Sequence, residues 1–437
     1  MIFKRGMLRP DCPVAVSVIL GVLCAAPSGA VDWPHFGYDD QYTSYCPAST
    51  QINISNVSRL QRRWGISCDD GYFFSVFGSP ALYAGALYLS GAGEPLHALN
   101  ASDGAQKWEF GQGNSGWAPQ PAVSSDGVIF YLEGVLPTNL YAVNRSGKQI
   151  WKAPISFDYG FEEAVQAVPT IDEAKKVVYV IENPFGPEGG RLFALSKGSG
   201  KVIWYKSKAK DGIAFRGRYV LLKGSTIFAN ALIPDAQSSW GDETVVRINP
   251  TTKKIEIKYQ RPASGSSLQV SHYSLCNDIL LVEYSDRDLS DPTWKGTSIL
   301  AAYNVNAAGI LWQKDLSKMP IAGAIACNTK KKRIYVPTDP YLYAFNAGNG
   351  QQLWRYTAYA PVHSPSVANG VIYFTSDTNV YALNETTGKR LLSYDLGYTS
   401  DFSTQVAIGS DAIYLSGSGG TCDFVALSPP TATDEQP

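Results

Sequence analysis

The sequence predicts an all-β fold: an eight-bladed β-propeller of four-stranded antiparallel blades, its ring closed by the N-terminal strand. Three observations carry this reading. A short phrase recurs along the chain, strand-like runs recur between its copies, and the two ends hold complementary parts of one unit. The phrase is Ala-x-Asn/Ser, a turn usually holding Gly, then Trp. It reads Ala98-Leu99-Asn100, Gly104, Trp108; Ala142-Val143-Asn144, Gly147, Trp151; Ala194-Leu195-Ser196, Gly200, Trp204; Ala302-Tyr303-Asn304, Gly309, Trp312; and Ala344-Phe345-Asn346, Gly350, Trp354. Two copies keep the frame without the Trp: Arg247-Ile248-Asn249 leading to Ile257, and Ala382-Leu383-Asn384 with Gly388 leading to Leu392. The spacing, about 40 to 55 residues, is that of one propeller blade.

Each unit holds runs of β-branched and aromatic residues between turn residues, the pattern of short strands. Examples are Ala86-Leu87-Tyr88-Leu89, Val177-Val178-Tyr179-Val180, Val371-Ile372-Tyr373-Phe374 and Ile413-Tyr414-Leu415. The turn residues after the Ala-x-Asn/Ser element supply local hydrogen bonds or positive φ. The Trp then falls on the last strand, where a large ring can bury itself against the neighbouring blade. An eighth element, Val425-Ala426-Leu427-Ser428, has no Trp strand after it, and Leu60-Gln61-Arg62-Arg63-Trp64 has no blade before it. The two orphans complete one another, which gives eight blades and no free sheet edge at the seam.

Length and composition bound the rest. Residues 1–30 read as a secretory signal, with basic Lys4, Arg5 and Arg9, an apolar stretch from Val14 to Ala26, and small Ser28-Gly29-Ala30 at the end. Residues 31–428 form a single propeller domain, and the Pro- and Thr-rich residues 429–437 are expected to be a disordered tail. A secreted or extracellular location follows, periplasmic in a bacterium, with no transmembrane segment. The net charge of −1 argues against a nucleic-acid partner. A monomer is expected, with a small molecule or a protein bound at the channel mouth. Of seven cysteines, five lie beyond the signal. Cys46 with Cys68, or Cys68 with Cys422, can pair near the ring closure. Cys276 and Cys327 occupy matching places in adjacent blades, and such points are expected to lie too far apart for a disulfide. Five Asn-x-Ser/Thr sequons begin at Asn53, Asn56, Asn100, Asn144 and Asn384. They become glycan sites only in a host that glycosylates.

The stretch Asp32-Trp33-Pro34-His35-Phe36-Gly37-Tyr38-Asp39, followed by Ile54-Ser55-Asn56-Val57-Ser58-Arg59-Leu60 and Trp64, resembles the opening of quinoprotein alcohol dehydrogenases. The repeats resemble the pyrroloquinoline-quinone-type repeat of that superfamily, almost end to end. The resemblance implies an eight-bladed propeller and, in the enzymes, pyrroloquinoline quinone and calcium on the central axis. Other members are scaffolds, so function must be argued from the site. Val177-Val178-Tyr179-Val180-Ile181-Glu182-Asn183-Pro184 is similar to the family segment whose Asn binds calcium, which places Asn183 as the metal ligand. The family's flanking glycines are replaced here by Ile181 and Glu182. For the family's catalytic Asp the candidates are Asp242, in Trp240-Gly241-Asp242-Glu243, and Asp339, before Tyr341-Leu342-Tyr343. The adjacent-cysteine pair of many of these dehydrogenases is missing.

In a propeller, the loops that lead into the innermost strands gather at one mouth of the channel. Here they carry Trp117, Gln120, Glu163, Gln166, His272, His363 and Gln405. An apolar pocket with a few convergent polar groups is the default binding site. Trp117 can stack on a flat ligand, and Glu163, His272 and His363 can take a proton or a cation. The same residues can equally plug the channel by bonding to one another. Two functions fit: a ligand- or partner-binding module with an incomplete dehydrogenase site, or a quinone- and calcium-dependent alcohol or sugar dehydrogenase.

Overall fold

A computed structural model describes residues 31–48, 50–66, 78–91, 94–113, 120–134, 138–155, 167–182, 190–235, 238–262, 268–285, 297–317, 321–397, 405–416 and 424–430, the side chains of 233–242 excepted. It is a ring of eight antiparallel sheets. Blade 1 is built from Ala81–Tyr83, Ala86–Leu89, Leu96–Asn100 and Gln106–Phe110 in that order. Blades 2 to 7 follow over 122–154, 170–206, 214–258, 269–315, 326–357 and 366–395. Blade 8 takes three strands from 407–428 and its fourth, Gln61–Ile66, from the N-terminal side, as expected. Helix is confined to Lys208–Asp211 and one 3-10 turn, Val57–Arg59, among the described residues.

The core lies in the seams between blades. Tyr88, Leu96 and Ala98 of blade 1, for example, pack with Val123, Ile129 and Tyr131 of blade 2. The repeated Trp crosses these seams at the rim. Its indole N–H donates to the carbonyl at the head of the next blade's third turn: Trp108 to Arg145 (2.9 Å), Trp151 to Lys197 (2.9 Å), Trp312 to Ala347 (2.9 Å) and Trp354 to Glu385 (3.2 Å). The ring then covers the turn glycine: Trp108 lies over Gly147, Trp151 over Gly200, Trp312 over Gly350 and Trp354 over Gly388. Where the preceding blade carries Ile257 in place of Trp, the position four before the next anchor is Ala308 rather than Gly, and Gly309, one place later, has nothing within 4 Å of an added Cβ. Phrase and counter-phrase are thus two halves of one contact.

Residues 33–48 and 50–51 span the ring on the axis. Their carbonyls take inner-strand N–H groups in turn: Trp33 from Leu82 (2.7 Å), Pro34 from Val123 (2.9 Å), Asp40 from Leu222 (2.7 Å), Gln41 from Leu275 (2.9 Å), Thr43 from Cys327 (2.7 Å) and Ser44 from Val367 (2.9 Å). Tyr45–Cys46 then adds a parallel strand to blade 7 beside Val367 and Ala368, and Gln51 N–H reaches Ser410 of blade 8 (2.6 Å). Blade 3 meets the segment through Tyr42 Oη and Thr170 Oγ1, 3.5 Å apart.

The cysteines correct one expectation. Cys276 and Cys327 form a disulfide with Cα atoms 5.7 Å apart. Both sit on inner strands, Gln269–Cys276 and Ala326–Asn328. Blades are wedges: matching points are far apart at the rim, but on the axis neighbouring inner strands touch. Cys46 is free and buried, so it does not pair with Cys68. Cys68 and Cys422 lie outside the described residues, as does the 1–30 segment.

Candidate functional site

The candidate site is the mouth where the chain enters the inner strands. Three expected residues share one register there. Gln120, His272 and Gln405 each stand two residues before an inner-strand residue (Ala122, Ser274, Ala407) that pairs with an equivalent position on the second strand (Phe130, Leu281, Tyr414). The side chains do different work. Gln405 is buried and its amide is taken by the chain: Oε1 accepts Gly37 N–H at 2.8 Å, and Nε2 donates to Ser44 Oγ at 2.7 Å and to Pro365 O at 3.2 Å. It pins the axial segment. Gln120 is buried, and its Oε1 has no hydrogen-bond partner among the described residues.

His272 is 26 % exposed, and its Nδ1 lies 2.8 Å from Oε2 of Glu283, which is 1 % exposed. A carboxylate only accepts, so Nδ1–H donates to it. Glu283 Oε1 is buried without a partner among the described residues. His363, in blade 7, is 3 % exposed, and its Nδ1 meets Thr375 Oγ1 at 2.9 Å. Burial pushes His363 down to about 4, so it stays neutral.

Sequence reasoning missed a second polar group, between blades 4 and 5. Glu243 Oε2 accepts Asn230 Nδ2–H at 3.0 Å and Val270 N–H at 2.9 Å. Asn230 Oδ1 and Arg216 Nε are buried without partners among the described residues. The available signal was a polar residue inside an apolar strand: Asn230 in Ile227-Phe228-Ala229-Asn230-Ala231, Glu283 in Leu280-Leu281-Val282-Glu283-Tyr284.

Asp339 is exposed at the turn between the second and third strands of blade 6, and desolvation raises its carboxyl above the usual range. Asp242 pairs through its backbone with Ile233 in the long hairpin of blade 4, Thr226–Asp235 and Ser238–Ile248. Trp117, Glu163, Gln166 and Asn183 lie outside the described residues. Among the described residues, no three His, Cys, Asp or Glu side chains cluster closely enough to share a metal ion. No helix among them is long and apolar enough to cross a membrane.

Two family profiles match the chain. Residues 33–148 match "Glucose/ethanol/alcohol dehydrogenase, beta-propeller domain" and residues 296–431 match "Outer membrane protein assembly factor BamB". A quinoprotein ethanol dehydrogenase of Pseudomonas aeruginosa is 28 % identical over 280 residues, 57 % of this chain and 42 % of that protein. The chain belongs to the quinoprotein alcohol dehydrogenase-like superfamily of PQQ-repeat propellers. This PQQ-repeat propeller spans less than half the length of that ethanol dehydrogenase. Its fold is that of the quinohemoprotein alcohol dehydrogenase of Comamonas testosteroni, with a TM-score of 0.70 at 14 % identity over 91 % of this chain and 80 % of that one. BamB of Moraxella catarrhalis is also similar, with a TM-score of 0.59 at 14 % identity over 84 % and 99 %.

The family's quinone and calcium ask for converging carboxylates, an Asn oxygen and cationic partners. In the described part of the mouth Glu243 Oε2 is engaged by Asn230 and Val270, Glu283 Oε2 by His272 and Gln405 by the axial segment, while Glu283 Oε1, Asn230 Oδ1 and Arg216 Nε have no partner among the described residues.

Proposed function

We propose that this PQQ-repeat propeller is an exported ligand- or partner-binding module whose dehydrogenase site is incomplete. The observation that carries the reading is the commitment of axial polar groups to the chain itself. Gln405 holds residues 37 and 44, and His363 rests on Thr375. Groups spent this way position a scaffold rather than a cofactor. Gln120, Asn230 and His272 keep bonding capacity at the mouth and are the residues that would meet a small molecule or a protein. Export is supported by the Cys276–Cys327 disulfide, since such bonds persist in oxidising compartments. On this reading residues 1–30 are the export signal, and residues 31–428 act as one monomeric domain.

The second reading, a quinone- and calcium-dependent alcohol or sugar dehydrogenase, is favoured by the 28 % identity to the ethanol dehydrogenase. One experiment separates the two. The purified chain is titrated with pyrroloquinoline quinone and calcium by calorimetry, and dye reduction is followed with ethanol and glucose. A folded chain that neither binds nor turns over supports the binding module. Micromolar quinone binding with turnover overturns it.

A further inference from the structure

The second strand of every blade has one residue two places after the position that faces the repeated Ala, or Arg247 in blade 4. Around the ring these are Ser90, Leu132, Ile181, Asn230, Glu283, Pro337, Thr375 and Ser416, set by the pairings of Tyr88, Phe130, Tyr179, Phe228, Leu281, Tyr335, Tyr373 and Tyr414. Leu132, Ile181 and Pro337 show that the fold accepts an apolar side chain there. Blade 5 instead buries a carboxylate whose one partner among the described residues is a single imidazole. Burying a carboxylate is costly unless it is paired, and an apolar residue would avoid that cost. Blade 7 supplies the contrast. Its His363 leans on a hydroxyl at the equivalent place, is sealed from solvent and stays neutral. His272 is backed by a carboxylate and remains partly open.

We propose that His272 and Glu283 form a proton-accepting pair facing the channel mouth, with His272 the acceptor and Glu283 its positioning residue. The pair takes a ligand that presents an ionisable O–H, S–H or N–H group. Glu283 holds Nδ1–H, which fixes the tautomer and aims the Nε2 lone pair outward. When the ligand's proton moves to Nε2, the ligand keeps the bonding electrons and becomes an anion. The imidazolium is neutralised by the Glu283 carboxylate, so no oxidant or reductant is required. The inference rests on ligand binding at the mouth, but its test uses no ligand and so fails or succeeds separately.

Nitrogen-15 NMR of the histidine-labelled full chain reads the tautomer directly. The expected result is a protonated Nδ1 and a bare Nε2 at His272, lost in Glu283→Leu, which removes the acceptor. Diethyl pyrocarbonate, which reacts with bare exposed imidazole nitrogens, should modify His272 well before His363, and several-fold more slowly in Glu283→Gln. Glu283→Leu, the residue that blade 2 carries there, keeps the fold by circular dichroism and provides the structural control. A His272 protonated on Nε2, or a tautomer and reactivity unchanged in both Glu283→Gln and Glu283→Leu, overturns the proposal.

Discussion

Trp64 Nε1 donates to the carbonyl of Ala101 at 3.1 Å. The bond joins the last strand of blade 8 to the third turn of blade 1. The same indole covers Gly104, whose added Cβ would lie 2.6 Å from Trp64 Cε3. The ring is therefore closed twice, by a backbone ladder within blade 8 and by a side chain reaching into blade 1. Trp64→Ala is expected to cost about 3 to 5 kcal/mol in urea unfolding. A loss under about 1 kcal/mol would show that the ladder alone closes the ring.

The glycines of the repeat should split into two classes. Gly104→Ala meets the indole and a φ of +75°, and should destabilise by about 1 to 3 kcal/mol. Gly309→Ala meets nothing within 4 Å and has an ordinary φ, so it should be neutral or stabilise by up to about 1 kcal/mol. Thermal unfolding of the two variants side by side is decisive. Equal losses would mean that the Trp–Gly contact has no energetic weight.

The Cys276–Cys327 bond closes a loop of 51 residues. By loop entropy its removal should lower stability by about 2 to 4 kcal/mol. Unfolding of the Cys276→Ser, Cys327→Ser double variant, with thiol counting on the parent chain, checks this. Two additional reactive thiols in the unreduced, unfolded parent would refute the bond itself.

Gln405→Leu should loosen the axial segment rather than the blades. It removes the acceptor of Gly37 N–H and the donor to Ser44 Oγ, for a cost of about 1 to 3 kcal/mol. Hydrogen–deuterium exchange should quicken over residues 36–44 and stay unchanged over 371–384. Uniform quickening would point to global destabilisation instead.

Acid should weaken the fold through two histidines. His35 and His363 are both held down to about 4 by burial. Each keeps its full contribution above the unfolded value near 6.5 and loses it as pH falls through that value toward 4. The loss is on the order of 3 kcal/mol per site at the acid limit. Asp39 and Asp40 are raised to about 6 and about 7, chiefly by desolvation, so they gain stability over the same descent and oppose the histidines. His363→Asn should therefore flatten the fall of stability between pH 6.5 and 4, and Asp40→Asn should steepen it. Urea unfolding at stepped pH reads both slopes.

The Trp phrase made the blades legible, because it reports a contact repeated at fixed spacing. Blade 8, split between Leu60–Trp64 and Val425–Ser428, followed from counting. The axial course of residues 33–48 and 50–51 left no such trace. It bonds through backbone carbonyls, which any residue supplies, so no periodicity marks it. Cys276 and Cys327 were misjudged because rim spacing was assumed for residues on the axis. At the mouth, His272 was legible as a lone imidazole, whereas its partner Glu283 was hidden among Leu281, Val282 and Tyr284. Only strand pairing brings the two together.

The axial segment also sets a schedule. Gly37 and Gln405, which bond directly, are 368 residues apart in the chain. At roughly 5 to 20 residues per second, one leaves the ribosome about 20 to 70 seconds before the other. Throughout that interval the first-made stretch lacks its anchor on blade 8, and the early-made strand Gln61–Ile66 lacks the three strands that complete its blade. A nascent chain thus cannot finish itself blade by blade from its start. Completion waits for the last strands to emerge, which gives any export machinery a long window in which the polypeptide is still threadable.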